Sequence, residues 1–537
     1  MNTILLNTLK LLLLFLPTFV VAQNRYWVSF TDKHESMELY KPSDFLSTSS
    51  IERRASQNIE IQNNDYPVSP NYKNEIKQLG YSIYRESRWL NAVSIQINES
   101  ESFTALKNLP FVNTVRKVKS YYGEKISTSQ NEFSNTISEY GPSFSQIAQL
   151  NGHLLHEQGY KGLGVTIAVI DASFYKVDSL LIFDSLRLNN RILDTWDFVL
   201  NQELDFSNDT IGSHGTMVLS CMAGYMVDSL IGTAPEASYL LYRTEDASSE
   251  TLTEEDNWVF AAEQADAFGA DIINTSLGYS NLWDDLENTH TYEDMDGNTT
   301  VITIAADIAA SKGMLVVNSA GNSGTSEWYY ITAPADGDSV LTVGAVGADS
   351  LIASFSSHGP TADGRMKPNV VSQGLYSVVC DLEDGIRTAN GTSFSSPIMA
   401  GMAASAWSAL PELSNMDLYD LIQQSAHLYP TGDNDYGYGI PNFESLLQYV
   451  NITEISLQNL NYYPNPVTDF VQINLENFDP KTPVLISIYN SLGMLVFSNS
   501  ILPEGSSKLN LSSLPQNSIY FVKANQGVKE YHCKLLK

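Results

Sequence analysis

Three side chains of the kinds that acyl-transfer chemistry combines, Asp171, His214 and Ser393, lie far apart in the chain, each where one structural element should give way to another. Ser393 belongs to Gly391-Thr392-Ser393-Phe394-Ser395-Ser396-Pro397-Ile398-Met399-Ala400-Gly401, which reads as the entry to a buried helix. Gly391 allows close backbone approach, Thr392 or Ser393 can cap the helix, and Pro397 falls near the end of the first turn, where a missing donor costs least. A serine at a helix start faces free N–H groups and the positive end of the dipole, which favour developing negative charge. The plain alternative is a capping serine on a packing helix.

Asp171 follows the run Val165 to Ile170 directly and would stand at the end of a strand. His214 sits in Ser213-His214-Gly215-Thr216-Met217-Val218, where Gly215 gives clearance and a helix runs on to Gly224. Singly, each is as readily a strand-end carboxylate or a packed imidazole. Together with Ser393 they form a triad: the serine attacks, the histidine takes its proton and the aspartate fixes the imidazole tautomer. A fourth group is Asn322, in the glycine-bounded loop Ala320-Gly321-Asn322-Ser323-Gly324, where its amide can face an oxyanion. Ser323 is a second candidate nucleophile but lacks a helix start. No Gly-x-Ser-x-Gly elbow occurs, which counts against an α/β-hydrolase.

The elements that must hold these groups follow from periodicity. Val165 to Ile170, Tyr239 to Tyr242, Ile272-Ile273, Met314 to Val317 and Val340 to Val346 are short apolar runs, with helical patterns such as Trp258 to Phe268 and Thr303 to Lys312 between them. Continuously apolar strands separated by helices predict an α/β domain with a parallel sheet covered on both faces. Catalytic groups in such sheets gather at the carboxyl ends of the strands. Before this block, Tyr26 to Phe30 and Ala92 to Ile97 alternate like strands, Ser102 to Leu109 suits a helix, and Val112 to Val118 follows, giving a small α+β unit. Ser127 to Ser145 is polar and reads as an exposed linker. Beyond Asn451, six short alternating runs from Phe470 to Leu535, separated by Pro, Gly, Asn and Ser, predict a small all-β sandwich.

With 537 residues the chain exceeds one ordinary domain. Its 61 acidic against 30 basic side chains give a formal charge of -31, which repels nucleic acid and anionic membrane. Lys10, the apolar run Leu11 to Val21 and the small residues before Gln23 read as a signal peptide cut after Ala22; no later stretch is apolar for long enough to cross a membrane. Three cysteines exclude a disulfide framework; Cys221 and Cys380 are either a bridge or two buried thiols.

The motifs Val169-Ile170-Asp171, His214-Gly215-Thr216, Asn274-Thr275-Ser276-Leu277-Gly278, Ala320-Gly321-Asn322 and Gly391 to Pro397 resemble, in this order, those of the subtilisin-like serine proteases, the subtilases. Val343 to Val346, Phe355 to Pro360 and Lys367-Pro368 support the likeness. The resemblance implies peptide-bond hydrolysis through an acyl-enzyme, on a mostly parallel sheet flanked by helices. It also implies that Ser276, Leu277 and Gly278 on one side, and Ser319, Ala320 and Gly321 on the other, wall the pocket for the residue before the scissile bond. The chain departs from the family pattern at Ala172 and Ser173 after the aspartate, at Met217, at Asn369 and at Gln373, which puts local turn geometry in question.

The N-terminal block resembles a subtilase propeptide, which implies an inhibitor of its own enzyme removed by self-cleavage, expected within Gly123 to Ser145. The C-terminal block, with Tyr463-Pro464-Asn465-Pro466 and Ser518 to Lys523, resembles the sorting domain read by the type IX secretion machinery of Bacteroidetes; a substrate- or carbohydrate-binding module is the alternative. The expected organisation is a signal peptide at 1–22, a propeptide at 23–125, a linker at 126–145, the catalytic domain at 146–450 and the sorting domain at 451–537. The expected activity is that of a secreted serine endopeptidase made as a zymogen and acting on polypeptides, the alternative being an inactive subtilase-like binding or adhesion protein. No cofactor is required. Calcium is a possible ligand because subtilases often carry it, and Asp294 to Thr299 is the candidate loop, against a solvated acidic turn. Side-chain preference depends on loops such as Thr325 to Pro334.

Overall fold

A computed structural model describes residues 24–97, 104–118, 138–208, 212–246, 251–281, 288–452, 458–475, 478–490, 494–503, 506–516, 518–526 and 529–537. The expected signal peptide and the linker up to residue 137 lie outside them. The chain divides into two compact units, up to Leu446 and from Leu447 onward.

The first unit opens with a four-stranded antiparallel sheet of β1 (Asn24–Phe30), β2 (Ser82–Ser87), β3 (Ala92–Ile97) and β4 (Val112–Lys117), in the order β2-β3-β1-β4. Three helices of this block went unmarked in the sequence reading, His34–Leu39, Thr48–Ser56 and Pro70–Gln78, the last two capped by the serines before them, Ser47 and Ser69. The expected helix from Ser102 is Thr104–Lys107 among the described residues.

The second layer is built on a seven-stranded sheet. Its strands are β5 (Thr166–Asp171), β6 (Ile192–Asp197), β9 (Ser238–Arg243), β10 (Ile272–Thr275), β11 (Leu315–Ser319), β12 (Val340–Val346) and β13 (Val370–Gln373), while β7 (Tyr225–Met226) and β8 (Leu230–Ile231) form a small separate hairpin. The sheet order is β13-β12-β11-β10-β5-β9-β6, and every pair is parallel. Both faces are covered, which is why its inner strands are apolar without alternation. Ala168 and Ile170 share a core with the helices Leu252–Phe268 and Val301–Ser311. The helices His214–Ala223 and Thr392–Ala409 pack on each other and on the sheet. The two strands that the apolar runs did not announce, β6 and β13, are the sheet's edges; β6 is only partly buried, and β13, though buried, has two apolar residues, Val370 and Val371, followed by Ser372 and Gln373.

Helix Leu252–Phe268 begins six residues before the expected Trp258, because Thr251 and Glu254 form a capping box and Gly269, at φ +104°, ends it. Its first turn looks exposed in sequence, yet Glu254, Glu255 and Asp256 are buried, as are Glu263 and Asp266 further on. The N-terminal block covers this face. Trp27 stacks at 5.6 Å on Phe260, and Trp27, Trp89 and Val118 join the core of the helix. Asp266 pairs with Arg53 at 2.5 Å, Arg54 at 2.9 Å and Arg88 at 3.5 Å; Asp65 pairs with Arg54 at 2.9 Å and with Lys312 at 3.2 Å. Burial by itself would raise the Asp266 pKa, but the surrounding guanidiniums lower it.

In the second unit, the strands Gln458–Asn459, Lys529–Leu536, Ile519–Gln526, Val484–Asn490 and Leu495–Ile501 form one sheet, in that order, and Tyr462–Tyr463, Phe470–Asn474 and Ser506–Asn510 another. Val484, Ile486 and Ile488 are buried while Leu485 between them is exposed, the period-two pattern of a sheet with one wet face.

Candidate active site

Register brings the carboxyl ends of the central strands together. Asp171 ends β5 beside Arg243 at the end of β9, and the wall that begins at Ser276 leaves β10. The buried Asp171 carboxylate accepts through Oδ1 from the Ala172 N–H at 2.7 Å and from His214 Nδ1 at 2.7 Å. A carboxylate only accepts, so Nδ1 carries the proton and the other ring nitrogen is the basic one. Asp171 Oδ2 has no partner among the described residues.

The departures after Asp171 do not disturb this arrangement. Ala172 supplies one of the two donors, and its carbonyl accepts from Arg243 Nε at 3.0 Å, while Arg243 is anchored by Asp197 at 2.8 Å. Gly215 has to be glycine, because a Cβ there would lie 2.3 Å from the Ser173 carbonyl. At the Asn369 departure, Oδ1 accepts from Lys367 Nζ at 3.0 Å and from the Thr342 N–H at 2.8 Å.

The His214 ring lies half-buried, its centroid 6.0 Å from that of Phe394, the neighbour of Ser393. Burial lowers its pKa, but the charge and hydrogen bond of Asp171, with the charge of Glu245, outweigh burial and leave the pKa raised. Glu245, two residues beyond β9, escaped the sequence reading. Burial pushes its own pKa up to about 7, against the hydrogen bonds of Tyr279 and Thr244. Only the fold brings it near the imidazole, and no motif marks it.

Ser393 lies in the first turn of helix Thr392–Ala409 and is nearly buried. Its hydroxyl donates to the Ser276 carbonyl at 3.2 Å, and the bond to His214 is not formed in this arrangement. Neither Thr392 nor Ser393 caps the helix as expected. The cap is Asn322, whose Oδ1 accepts from Thr392 N at 2.9 Å and Thr392 Oγ1 at 3.1 Å, so that its amide nitrogen is the end left to donate. Pro397 stands one turn deeper than expected, inside the helix. Its missing N–H frees the Ser393 carbonyl, four residues back, and Ser276 Oγ donates to it at 2.9 Å. The proline thereby ties the serine's turn to the wall of the cleft.

That wall, Ser276, Leu277 and Gly278, faces Ser319, Ala320 and Gly321 across the ends of β10 and β11; Ser319 Oγ and Asn318 Nδ2 reach the Leu277 carbonyl at 3.5 and 3.3 Å. Ser323 lies apart from the triad, its N–H donating to Ser357 Oγ. In the candidate calcium loop Asp294 caps Thr291 and Asp296 accepts from Asn298 and Thr299; among the described residues no group of three acidic, His or Cys side chains could hold a metal. Cys221 and Cys380 are buried free thiols.

A parallel sheet with an Asp–His pair at its carboxyl rim and a serine at an adjoining helix start is the architecture of an α/β serine hydrolase. The comparisons narrow the class. The subtilase family model matches residues 162–439, the Peptidase S8 propeptide domain of Bacteroidota residues 25–134, and the secretion system C-terminal sorting domain residues 461–537. The chain is similar to subtilisin E of Bacillus subtilis, 28% identical over 380 residues that cover 70% of this chain and 86% of the relative. It is also similar to subtilisin of Bacillus pumilus, 30% identical over 56% of this chain and 98% of the relative, and to the serine protease AprX of B. subtilis, 28% identical over 54% and 67%. The chain belongs to the subtilase family and is a serine-type endopeptidase, exported by type IX secretion to the cell surface or medium.

Proposed function

We propose that the protein is synthesised as a zymogen and hydrolyses polypeptides with Ser393 as nucleophile, His214 as general base and then acid, Asp171 as the group orienting the imidazole, and Asn322 as oxyanion donor. The Asp171–His214 bond of 2.7 Å, beside a serine in the first turn of a buried helix, carries this reading. A rotation about the Ser393 Cα–Cβ bond moves the hydroxyl from the Ser276 carbonyl to His214. As Oγ attacks the scissile carbonyl, its proton passes to the basic nitrogen of His214, and the oxygen's negative charge meets the Asn322 amide and the first-turn N–H groups. The imidazolium then protonates the departing amine, and water cleaves the ester by the same steps. Ser276 to Gly278 and Ser319 to Gly321 pair with an extended substrate as added strands.

The propeptide spans 23–125, the linker 126–145, the catalytic domain 146–450 and the sorting domain 451–537; self-cleavage falls within Gly123 to Ser145, and the released propeptide remains an inhibitor until it is degraded. Labelling of the purified, processed protein by a fluorophosphonate, lost in Ser393→Ala, tests the catalytic assignment; no labelling of the processed wild type refutes it. N-terminal sequencing tests the zymogen, and a mature protein that still starts near residue 24 excludes it.

A further inference from the structure

The helix Leu252–Phe268 carries three carboxylates, Asp256, Glu263 and Asp266, spaced so that all of them share one face. Among the described residues, every cation paired with them belongs to the N-terminal block. Arg116 meets Asp256 at 2.8 Å, Arg88 meets Glu263 at 3.6 Å, and Arg53, Arg54 and Arg88 meet Asp266. When self-cleavage removes the block, the carboxylates lose all of these partners, and Phe260, on which Trp27 stacks, is uncovered between Asp256 and Glu263. Like charges along one helix face repel one another and favour an incoming cation.

One of these contacts is a pocket built for a single guanidinium. Arg53, itself nearly buried, donates through Nη2 to Asp266 Oδ1 at 2.5 Å, through Nη1 to the Ala270 carbonyl and through Nε to the Lys312 carbonyl at 3.3 Å. All three acceptors come from the catalytic layer, and both carbonyls lie at helix ends. Ala270 stands just beyond Leu252–Phe268, and Lys312 is the C-cap of Val301–Ser311. The negative ends of two helix dipoles and a carboxylate thus converge on one planar cation, a fork that arginine fills and lysine does not. The pocket does not depend on the block for its shape: the Gly269 N–H returns to the Ala265 and Asp266 carbonyls at 3.0 and 3.2 Å, and the Lys312 N–H to those of Ile308 and Ala309 at 3.1 Å.

We infer that this pocket, vacated when the N-terminal block is removed, binds an arginine side chain of protein substrates in the mature enzyme and so holds them at a place remote from the bond being cut. The inference rests on the zymogen reading above, since an attached block leaves the pocket filled. The block's own chain marks the route to the cleft. Beyond β4, the Val118 carbonyl accepts from Thr253 Oγ1 at 2.5 Å at the start of the same helix, and Asn257 Nδ2 joins that end of the helix to the Thr244 carbonyl, beside Glu245, at 3.1 Å. The 17 residues of the helix make the path about 25 Å long, so the arginine lies well upstream of the cleaved bond.

Two fluorogenic peptides test it on the processed enzyme at low ionic strength. Both carry the same cleaved sequence behind a Gly/Ser spacer of about 20 residues, whose mean span is about 25 Å. One begins with an Arg-Arg pair and the other with two citrullines, which keep the shape and lack the charge. The arginine peptide is expected to show a KM at least about fivefold lower, with a similar kcat, and added salt should erase the difference. Asp266→Asn should bring the two KM values together; if that variant does not mature, the wild-type comparison decides. Equal KM values on the wild type, or an arginine advantage that survives Asp266→Asn, overturn the assignment. Fluorophosphonate labelling and N-terminal sequencing are read in parallel. A labelled, processed enzyme that ignores the arginines refutes the pocket alone. A labelled protein still starting near residue 24 refutes the zymogen reading and the pocket with it, and an unlabelled processed one refutes the protease reading and the pocket together.

Discussion

Two clusters of buried polar groups lie in one compact unit and are finished differently. Under the N-terminal block, the carboxylates of Asp65, Glu263 and Asp266 are met by Arg53, Arg54, Arg88 and Lys312 and by backbone donors from Arg88 and Trp89, and the atoms there without a partner among the described residues, such as Arg54 Nε, Trp89 Nε1 and Asp256 Oδ2, lie at the margins of these pairs. At the carboxyl rim, Asp171 Oδ2 and Thr332 Oγ1 lack partners, Ser393 points at a carbonyl, and the Asn322 amide is held by its oxygen end only. Matched charges hold one surface against another, whereas the Ser393 hydroxyl and the Asn322 amide nitrogen keep the free capacity that the proposed reaction draws on.

If that distinction is right, variants at the rim should change rates and leave the fold, and variants under the N-terminal block should do the reverse. Ser393→Ala should lower kcat by roughly a millionfold, a magnitude taken from the subtilisin triad itself. Steady-state hydrolysis measures this; because the variant stays uncut, a native far-UV circular dichroism spectrum completes the test. In the Ser393→Ala background, which keeps the chain uncut, Asp266→Ala leaves Arg53 without its ion pair and Arg54 with Asp65 alone, and should cost about 3 to 5 kcal/mol of stability by denaturant unfolding; a loss within error would mean that the network holds nothing. Asn322→Ala should reduce kcat by roughly 100- to 1000-fold with little change in KM, and as a lost cap it should also cost about 1 kcal/mol of stability. Thr332→Val should leave stability unchanged or raise it by about 1 kcal/mol, because it removes a buried hydroxyl without a partner.

The smallest effect concerns pH. The general base must be neutral, and the pKa of His214 is raised from 6.5, so kcat/KM should climb with pH through a value above 6.5. Glu245→Gln removes one of the charges that favour the imidazolium, so the acidic limb should move to lower pH, which a pH–rate profile resolves by direction. A limb that stays in place would confine Glu245 to its bonds with Tyr279 and Thr244.

The inner strands were legible because two covered faces demand unbroken apolar runs; the edges β6 and β13 were not, because β6 is only partly covered and the buried β13 offers just Val370 and Val371 before Ser372 and Gln373. The acidic first turn of helix Leu252–Phe268 concealed its start: an amphipathic reading treats Glu255 and Asp256 as wet, and only a second layer carrying Arg116 at 2.8 Å from Asp256 makes them interior. Likewise Asn322 was legible as a candidate donor but not as the cap of the serine's helix, and Pro397 was placed too near the helix start because the group that meets the carbonyl it frees, Ser276 Oγ on Ser393 O, lies 117 residues from Ser393.

By itself the sequence determined which groups are candidates for the chemistry and in what order they occur, because Asp171, His214, Asn322 and Ser393 each sit at an element boundary that local composition marks. The tertiary structure alone decided what surrounds them. Glu245 beside His214, Thr332 between Gly278 and Gly321, and Asp266 among Arg53 and Arg54, 213 and 212 residues away, are meetings of segments remote in the chain. Local periodicity tells a segment which face to bury, but the identity of what lies across that face is set only when the layers close.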